Sequence, residues 1–132
     1  MLSRKSCPAV IVTVVSLAGC SNPGASYACP AVVTPAIVVE IRDATSGAPL
    51  ANGAKGAVHD GAYVDSLTPY EGIGPDPNTL ISRRAADERP GNYAIEITHD
   101  GYRPWTVAGV RAVAGVCGVI TRRISASLAP AP

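Results

Sequence analysis

The chain has 132 residues, room for one ordinary domain with a modest core once any leader is set aside. Lysine and arginine number 11 against 10 aspartate and glutamate, a balance that argues against a general nucleic-acid or anionic-membrane binder, which needs clustered positive charge to displace counterions. With no Phe, one Trp and five Tyr, a core must rest on Val, Ile, Leu and Ala, while 13 Gly and 12 Pro favour short strands and turns over long helices.

The first segment carries Arg4 and Lys5, an apolar stretch from Ala9 to Leu17, and then Leu17-Ala18-Gly19-Cys20. The basic start, the small residues before a cut site and a stretch too short to span a bilayer are the parts of a secretory signal. All four closing residues make it similar to a bacterial lipobox. The resemblance implies cleavage between Gly19 and Cys20, a diacylglyceryl group on the Cys20 thiol and acylation of the new amino terminus. The competing readings are an ordinary signal peptide that ends in cysteine and a buried apolar strand. On the lipoprotein reading, residues 1–19 are a signal, 20–33 hold the lipidated cysteine and a tether (SNPGASYA over 21–28), and 34–130 form the domain. Removing the signal takes away two basic residues and leaves a mature charge of about −1.

Cys7 leaves with such a signal and Cys20 is taken by lipid, so Cys29 and Cys117 remain to pair. An exported location permits a disulfide, and neither residue has the C-x-x-C spacing of a redox or zinc site. The alternative is two separately buried thiols.

Further along, A-I-V-V-E-I-R-D at 36–43 alternates, with Ile37, Val39 and Ile41 on one face and Val38, Glu40 and Arg42 on the other, the mark of a half-buried strand. Residues 45–53 are a turn region by composition. Extended runs at Ala54–His59 and Ala62–Leu67 meet at Asp60-Gly61, a hairpin signal. TPYEGIGPDPN at 68–78 holds three Pro and two Gly and reads as a long loop. Leu80–Glu88 reads two ways: Leu80–Ser82 as extended chain, Arg83–Glu88 as one helical turn. Asn92–Thr98 alternates again with Tyr93, Ile95 and Ile97 inward, followed by a turn at Asp100-Gly101. Two more extended runs, Trp105–Val113 and Cys117–Leu128, are divided by Ala114-Gly115. Six or seven short strands without a long helix predict an all-β, antiparallel sandwich of about seven strands.

IVVEIRDATSGAPL at 37–50, HDGAY at 59–63 and GNYAIEITHDGY at 91–102 resemble the carboxypeptidase regulatory-like domain, a transthyretin-like sandwich. The likeness runs over about residues 36–128, and the closing CGVITRRISASL is similar to the last strand of small exported lipoproteins built on that domain. It implies a non-catalytic packing module. The transthyretin-like hydroxyisourate hydrolases share the opening strand and turn, yet their first-strand histidine and Tyr-Arg-Gly-Ser terminus have no counterpart in Val39-Glu40-Ile41-Arg42 or in the closing S-L-A-P-A-P.

Candidate chemistry is sparse. His59 and His99 are the only neutral-range bases, and each precedes Asp-Gly, where a hairpin turn accounts for the pattern. Asp65, Glu71 and Asp76 offer oxygen ligands for calcium without the spacing of a calcium loop. Arg83-Arg84 and Arg122-Arg123 offer charge for an anionic partner, but neighbours on a strand point to opposite faces. Tyr102 and Trp105 in G-Y-R-P-W are a close aromatic pair and the candidate ligand contact, with packing at the sandwich end as the alternative. Ser and Thr stand beside no G-x-S-x-G turn or base that would make one a nucleophile.

The expectation is therefore a lipid-anchored, non-enzymatic envelope module without cofactor, metal or nucleic acid. Its partners are the bilayer, through Cys20, and an unidentified envelope protein or glycan. A small-ligand or polysaccharide binder is the second reading, and a hydrolase the third. Ser21, in place of the Asp associated with inner-membrane retention in lipoproteins, favours the outer membrane.

Overall fold

The computed structural model describes residues 24, 26–70 and 81–132, and no helix occurs among them. The expected signal, the lipobox-like motif with Cys20, and residues 71–80, with Glu71 and Asp76, lie outside the described residues. Ten strands form among the described residues: β1 Pro35–Asp43, β2 Lys55–Asp60, β3 Tyr63–Ser66, β4 Thr68–Pro69, β5 Ser82–Asp87, β6 Gly91–Thr98, β7 Trp105–Ala112, β8 Ala114–Gly115, β9 Gly118–Val119 and β10 Arg122–Leu128. One four-stranded sheet has the order β10-β1-β5-β4, the other β3-β2-β6-β7, and β8-β9 is a small hairpin. The all-β sandwich class expected from the alternation is what the chain forms.

Several details depart from the expectation, one being that Thr68–Pro69, inside the expected loop 68–78, forms β4. The last strand pairs with the first in parallel, Ile37 opposite Arg122 through Asp43 opposite Leu128, although every other ladder is antiparallel. Arg83–Glu88 makes no helical turn; Arg83–Asp87 lie in β5, where Ala85 and Arg83 stand opposite Ile37 and Val39 of β1, and Glu88 follows the strand's end. Weak helix propensity in so short a run yields to the ladder that β1 offers. The run Cys117–Leu128 breaks at Ile120-Thr121 into β9 and β10, and Ala114-Gly115, read as a divider, is itself β8.

The core follows the predicted faces. Ile37, Val39 and Ile41 from β1 and Tyr93, Ile95 and Ile97 from β6 are sealed together with Val58, Ala126 and Leu128. Val38 lies on the outer face of β1 and is nevertheless buried. In its cross-strand row it is flanked by Arg84 and Arg123, residues whose long methylene stems cover apolar surface while the charged heads stay in water.

The hairpin between β2 and β3 has Asp60 paired with Tyr63, so its loop is Gly61-Ala62, one residue later than the Asp-Gly signal suggests. Only Gly61, at φ 59°, takes a positive angle there, the pattern of a II′ turn, in which glycine holds the first loop position.

The two cysteines expected to pair are bonded, Cys29 to Cys117, with S–S 2.06 Å and a sequence separation of 88. Cross-linking a loop of that length removes unfolded-state entropy worth about 4 to 5 kcal/mol. The double substitution Cys29→Ser, Cys117→Ser is expected to lower the unfolding free energy by about that amount in urea titrations. Ile95→Ala, which empties a sealed core position, is expected to cost about 2 to 5 kcal/mol with the bridge intact.

Candidate functional site

The strand directions sort the molecule into two ends. At one end, β1 and β10 begin, β5 and β7 finish, and the β8-β9 hairpin and disulfide sit. At the other, β1 and β10 finish and the turns of residues 44–54 and 99–104 gather.

The second end contains the predicted aromatic pair. The Tyr102 hydroxyl donates to Asp43 Oδ2 at 2.6 Å, and its ring meets His99 edge-on at 5.1 Å. Both Tyr102 and Trp105 are half-buried against the core. Their surfaces are partly spent on packing, and the tyrosine hydroxyl is occupied. Asp43 Oδ1 also accepts from the backbone N–H groups of Thr45 and Ser46, at 2.6 and 2.9 Å, an Asx-type turn that opens the loop after β1. These donors, Tyr102 first and then the Ser46 and Thr45 amides, hold the Asp43 carboxyl below its ordinary 3.8, and the same bond holds Tyr102 above its ordinary 10.0.

The two histidines are not brought together. Lys55 pairs with Thr98 while His59 pairs with Ala94, so His99 and His59 lie at opposite ends of the β2-β6 ladder. His99 has Nδ1 2.9 Å from the Asp100 carbonyl and Nε2 3.1 Å from the Asn52 carbonyl. Both ring nitrogens face carbonyl oxygens, to one of which the single N–H of a neutral imidazole donates, so the ring bridges the turns at Asn52 and Asp100. His59 Nε2 lies 3.3 Å from Glu96 Oε1 on the exposed face of the second sheet. Among the described residues no group of three or more His, Cys, Asp and Glu stands close enough to hold a metal ion. Asp65 does other work: its Oδ2 accepts from the Ala86 amide at 2.8 Å, where Ala86 has φ 58°.

Each arginine pair is split by the pleat. Arg84 and Arg123 share the outer face of the first sheet in one row with Val38, and Arg123 stands 5.8 Å from the Tyr70 ring. Arg83 turns to the core side, donating to the carbonyls of Ala51 at 2.8 Å and Leu67 at 3.0 Å. Burial pushes its guanidinium below the usual value.

The first end holds residues that sequence reasoning passed over. Glu88 has φ 55°. Its amide donates to the Thr34 carbonyl at 2.9 Å, and the Thr34 amide donates back to Glu88 Oε1. This reciprocal pair fastens the chain entering the sandwich. Arg89 lies over the Tyr63 ring at 3.8 Å, donates to Asp60 Oδ2 at 2.8 Å and reaches the Tyr93 hydroxyl at 3.1 Å. The Tyr93 hydroxyl donates to the Arg89 carbonyl at 2.5 Å, which satisfies the polar tip of a fully buried ring. Gly91 sits under this group: a Cβ there would lie 2.6 Å from Asp60 Oδ2. Beside it runs an open groove of about 650 Å³ lined by Pro90, Gly91, Asn92, Arg111, Ala112 and Val113. The arginine between two aromatic positions is a possible cue in the sequence, but nothing local says that Tyr63 and Tyr93 share a site.

A scan against protein-family models matches none, and a search of curated proteins gives no significant match.

The Asp43–Tyr102 bond makes stability depend on pH at both extremes. A lowered carboxyl stabilises fully above its unfolded value and loses that contribution as pH falls through the folded one; a raised phenol stabilises fully below its unfolded value and loses it as pH rises through the folded one. Tyr102→Phe is therefore expected to flatten the curve of urea midpoint against pH below 3.8 and above 10.0. Slopes equal to those of the parent in both ranges would contradict this linkage.

Proposed function

We propose that this chain is a bacterial envelope lipoprotein, anchored through acyl groups on Cys20, whose β-sandwich serves as a non-enzymatic structural or protein-interaction module. The observation that carries the reading is the Cys29–Cys117 bond, which belongs with an oxidising, exported location. It leaves Cys20, in Leu17-Ala18-Gly19-Cys20, as the remaining thiol of a chain cut at that motif. Several acyl chains give a stable anchor where one is marginal. The sequence over about residues 36–128 resembles the carboxypeptidase regulatory-like domain, a packing module, which agrees with a role in presentation.

An edge strand is the physically available means of engaging an envelope partner. β10 is terminal in its sheet and keeps regular alternation at Ile124, Ala126 and Leu128, whereas β7, terminal in the other, has its pairing interrupted by a register shift between Tyr93 and Ile95. A regular open edge accepts an added strand through main-chain hydrogen bonds. Ser21 after the lipidated cysteine agrees with the outer membrane.

In cells fed a labelled fatty acid, the parent chain is expected to become labelled and to lose residues 1–19, and Cys20→Ala to accumulate as an unlabelled precursor. Equal labelling of the Cys20→Ala chain would overturn the anchor.

A further inference from the structure

Seven large apolar residues are exposed among the described residues, and six of them gather at the disulfide end: Tyr27, Val32, Val33, Val113, Val116 and Ile120, with exposures from 42% to 74%. Their proximity is built into the bonding. Cys29 is joined to Cys117, the Thr121 hydroxyl donates to the Pro35 carbonyl at 2.7 Å, and Val32 and Val33 lie on the stretch between those two ties. On the other side, the Ile120 amide donates to the Val113 carbonyl at 2.8 Å, and Val116 stands at the hairpin tip beside Cys117. The patch is therefore a fixed apolar end. Scattered single apolar residues are ordinary on a surface, but a gathered group marks a contact.

We propose that this end of the sandwich, with the β8-β9 hairpin tip leading, docks into the interface of the lipid bilayer, so that the domain is held upright on the membrane and not merely leashed to it. The proposal rests on the reading of Cys20 as the lipid-bearing residue and adds an orientation to it. Three observations select lipid as the occupant. Cys20 stands nine residues before Cys29, so an extended tether reaches at most about 30 Å and keeps this end nearest the acyl chains. Tyr27, the last aromatic before the bridge, has the amphipathic ring that favours the headgroup level. Arg111 and Arg122 flank the hairpin on β7 and β10 and make no ion pair among the described residues, a placement that suits phosphate headgroups beside a shallow apolar insertion. Upright docking leaves the Asp43, His99 and Tyr102 end facing away from the membrane, with the β10 edge running up from Arg122 along the side of the domain.

The test uses the full, lipidated chain in vesicles of phosphatidylethanolamine and phosphatidylglycerol, with and without bromine on the acyl chains. Trp105 begins β7 at the opposite end and serves as an internal reference, while Val116→Trp puts a second reporter at the exposed tip. Bromolipid is expected to quench the added indole by half or more and to leave the parent's Trp105 emission within about a tenth of its value. Ile120→Asp added to Val116→Trp is expected to reduce the quenching at least twofold, with circular dichroism and the intact disulfide mass as checks on folding. Quenching at position 116 no greater than at Trp105 would overturn the docking. So would a concentration-dependent dimer, abolished by Ile120→Asp, which would assign the patch to a second copy. Acylation of Cys20 is read separately by mass: an acylated chain without quenching fails the docking alone, whereas a chain without acyl mass fails the lipoprotein reading beneath it.

Discussion

The covalent tie between Cys29 and Cys117 is the constraint on which the rest of the sandwich leans. The buried apolar set among the described residues contains seven alanines and a single aromatic, Tyr93. Such a core removes little apolar surface per residue, and small domains with thin cores depend on cross-links to offset chain entropy. The bond encloses almost the whole domain, so it acts chiefly on the unfolded chain. In the folded state it also fixes the segment before β1 against the β8-β9 hairpin, and the Thr34–Glu88 exchange and the Thr121–Pro35 bond continue that seam.

The two ends of the sandwich are held by different physics. The disulfide end is covalent, apolar and backed by the Arg89 group, where a cation stacked on Tyr63 also meets Asp60. The far end is held by polar contacts, Tyr102 to Asp43 and His99 to two carbonyls. Left-handed backbone at Ala86 and Glu88 lies next to the first end. Non-glycine residues hold that conformation at a cost of about 1 to 2 kcal/mol each. Asp65 bonds the amide of Ala86, and Thr34 bonds both the amide and the carboxylate of Glu88, which offsets the cost by locking the chain entry in place.

Much of the fold was legible in the residues. Alternation over 36–43 and 92–98 assigned the two central strands and their inward faces correctly, because a period of two has one reading when half of a strand is buried. The pairing of Cys29 with Cys117 was legible only once the lipobox resemblance set Cys7 and Cys20 aside. The short run at 83–88 reads locally as a helical turn, since local propensity carries no knowledge of the ladder beside β1. The candidate site was less legible. Tyr102 and Trp105 are neighbours in the sequence, but Asp43, 59 residues from Tyr102, is what occupies the hydroxyl.

By itself the sequence determined the alternating strands, the class of fold and an amino-terminal motif similar to a lipobox, all properties carried by residue type and local spacing. Tertiary structure alone decided the parallel closure of β10 on β1, the division of each arginine pair between faces, the partners of Tyr102, His99 and Arg89, and the gathering of six apolar side chains at the disulfide end. Those depend on contacts between segments tens of residues apart, where side-chain direction and strand order, and not composition, determine what meets.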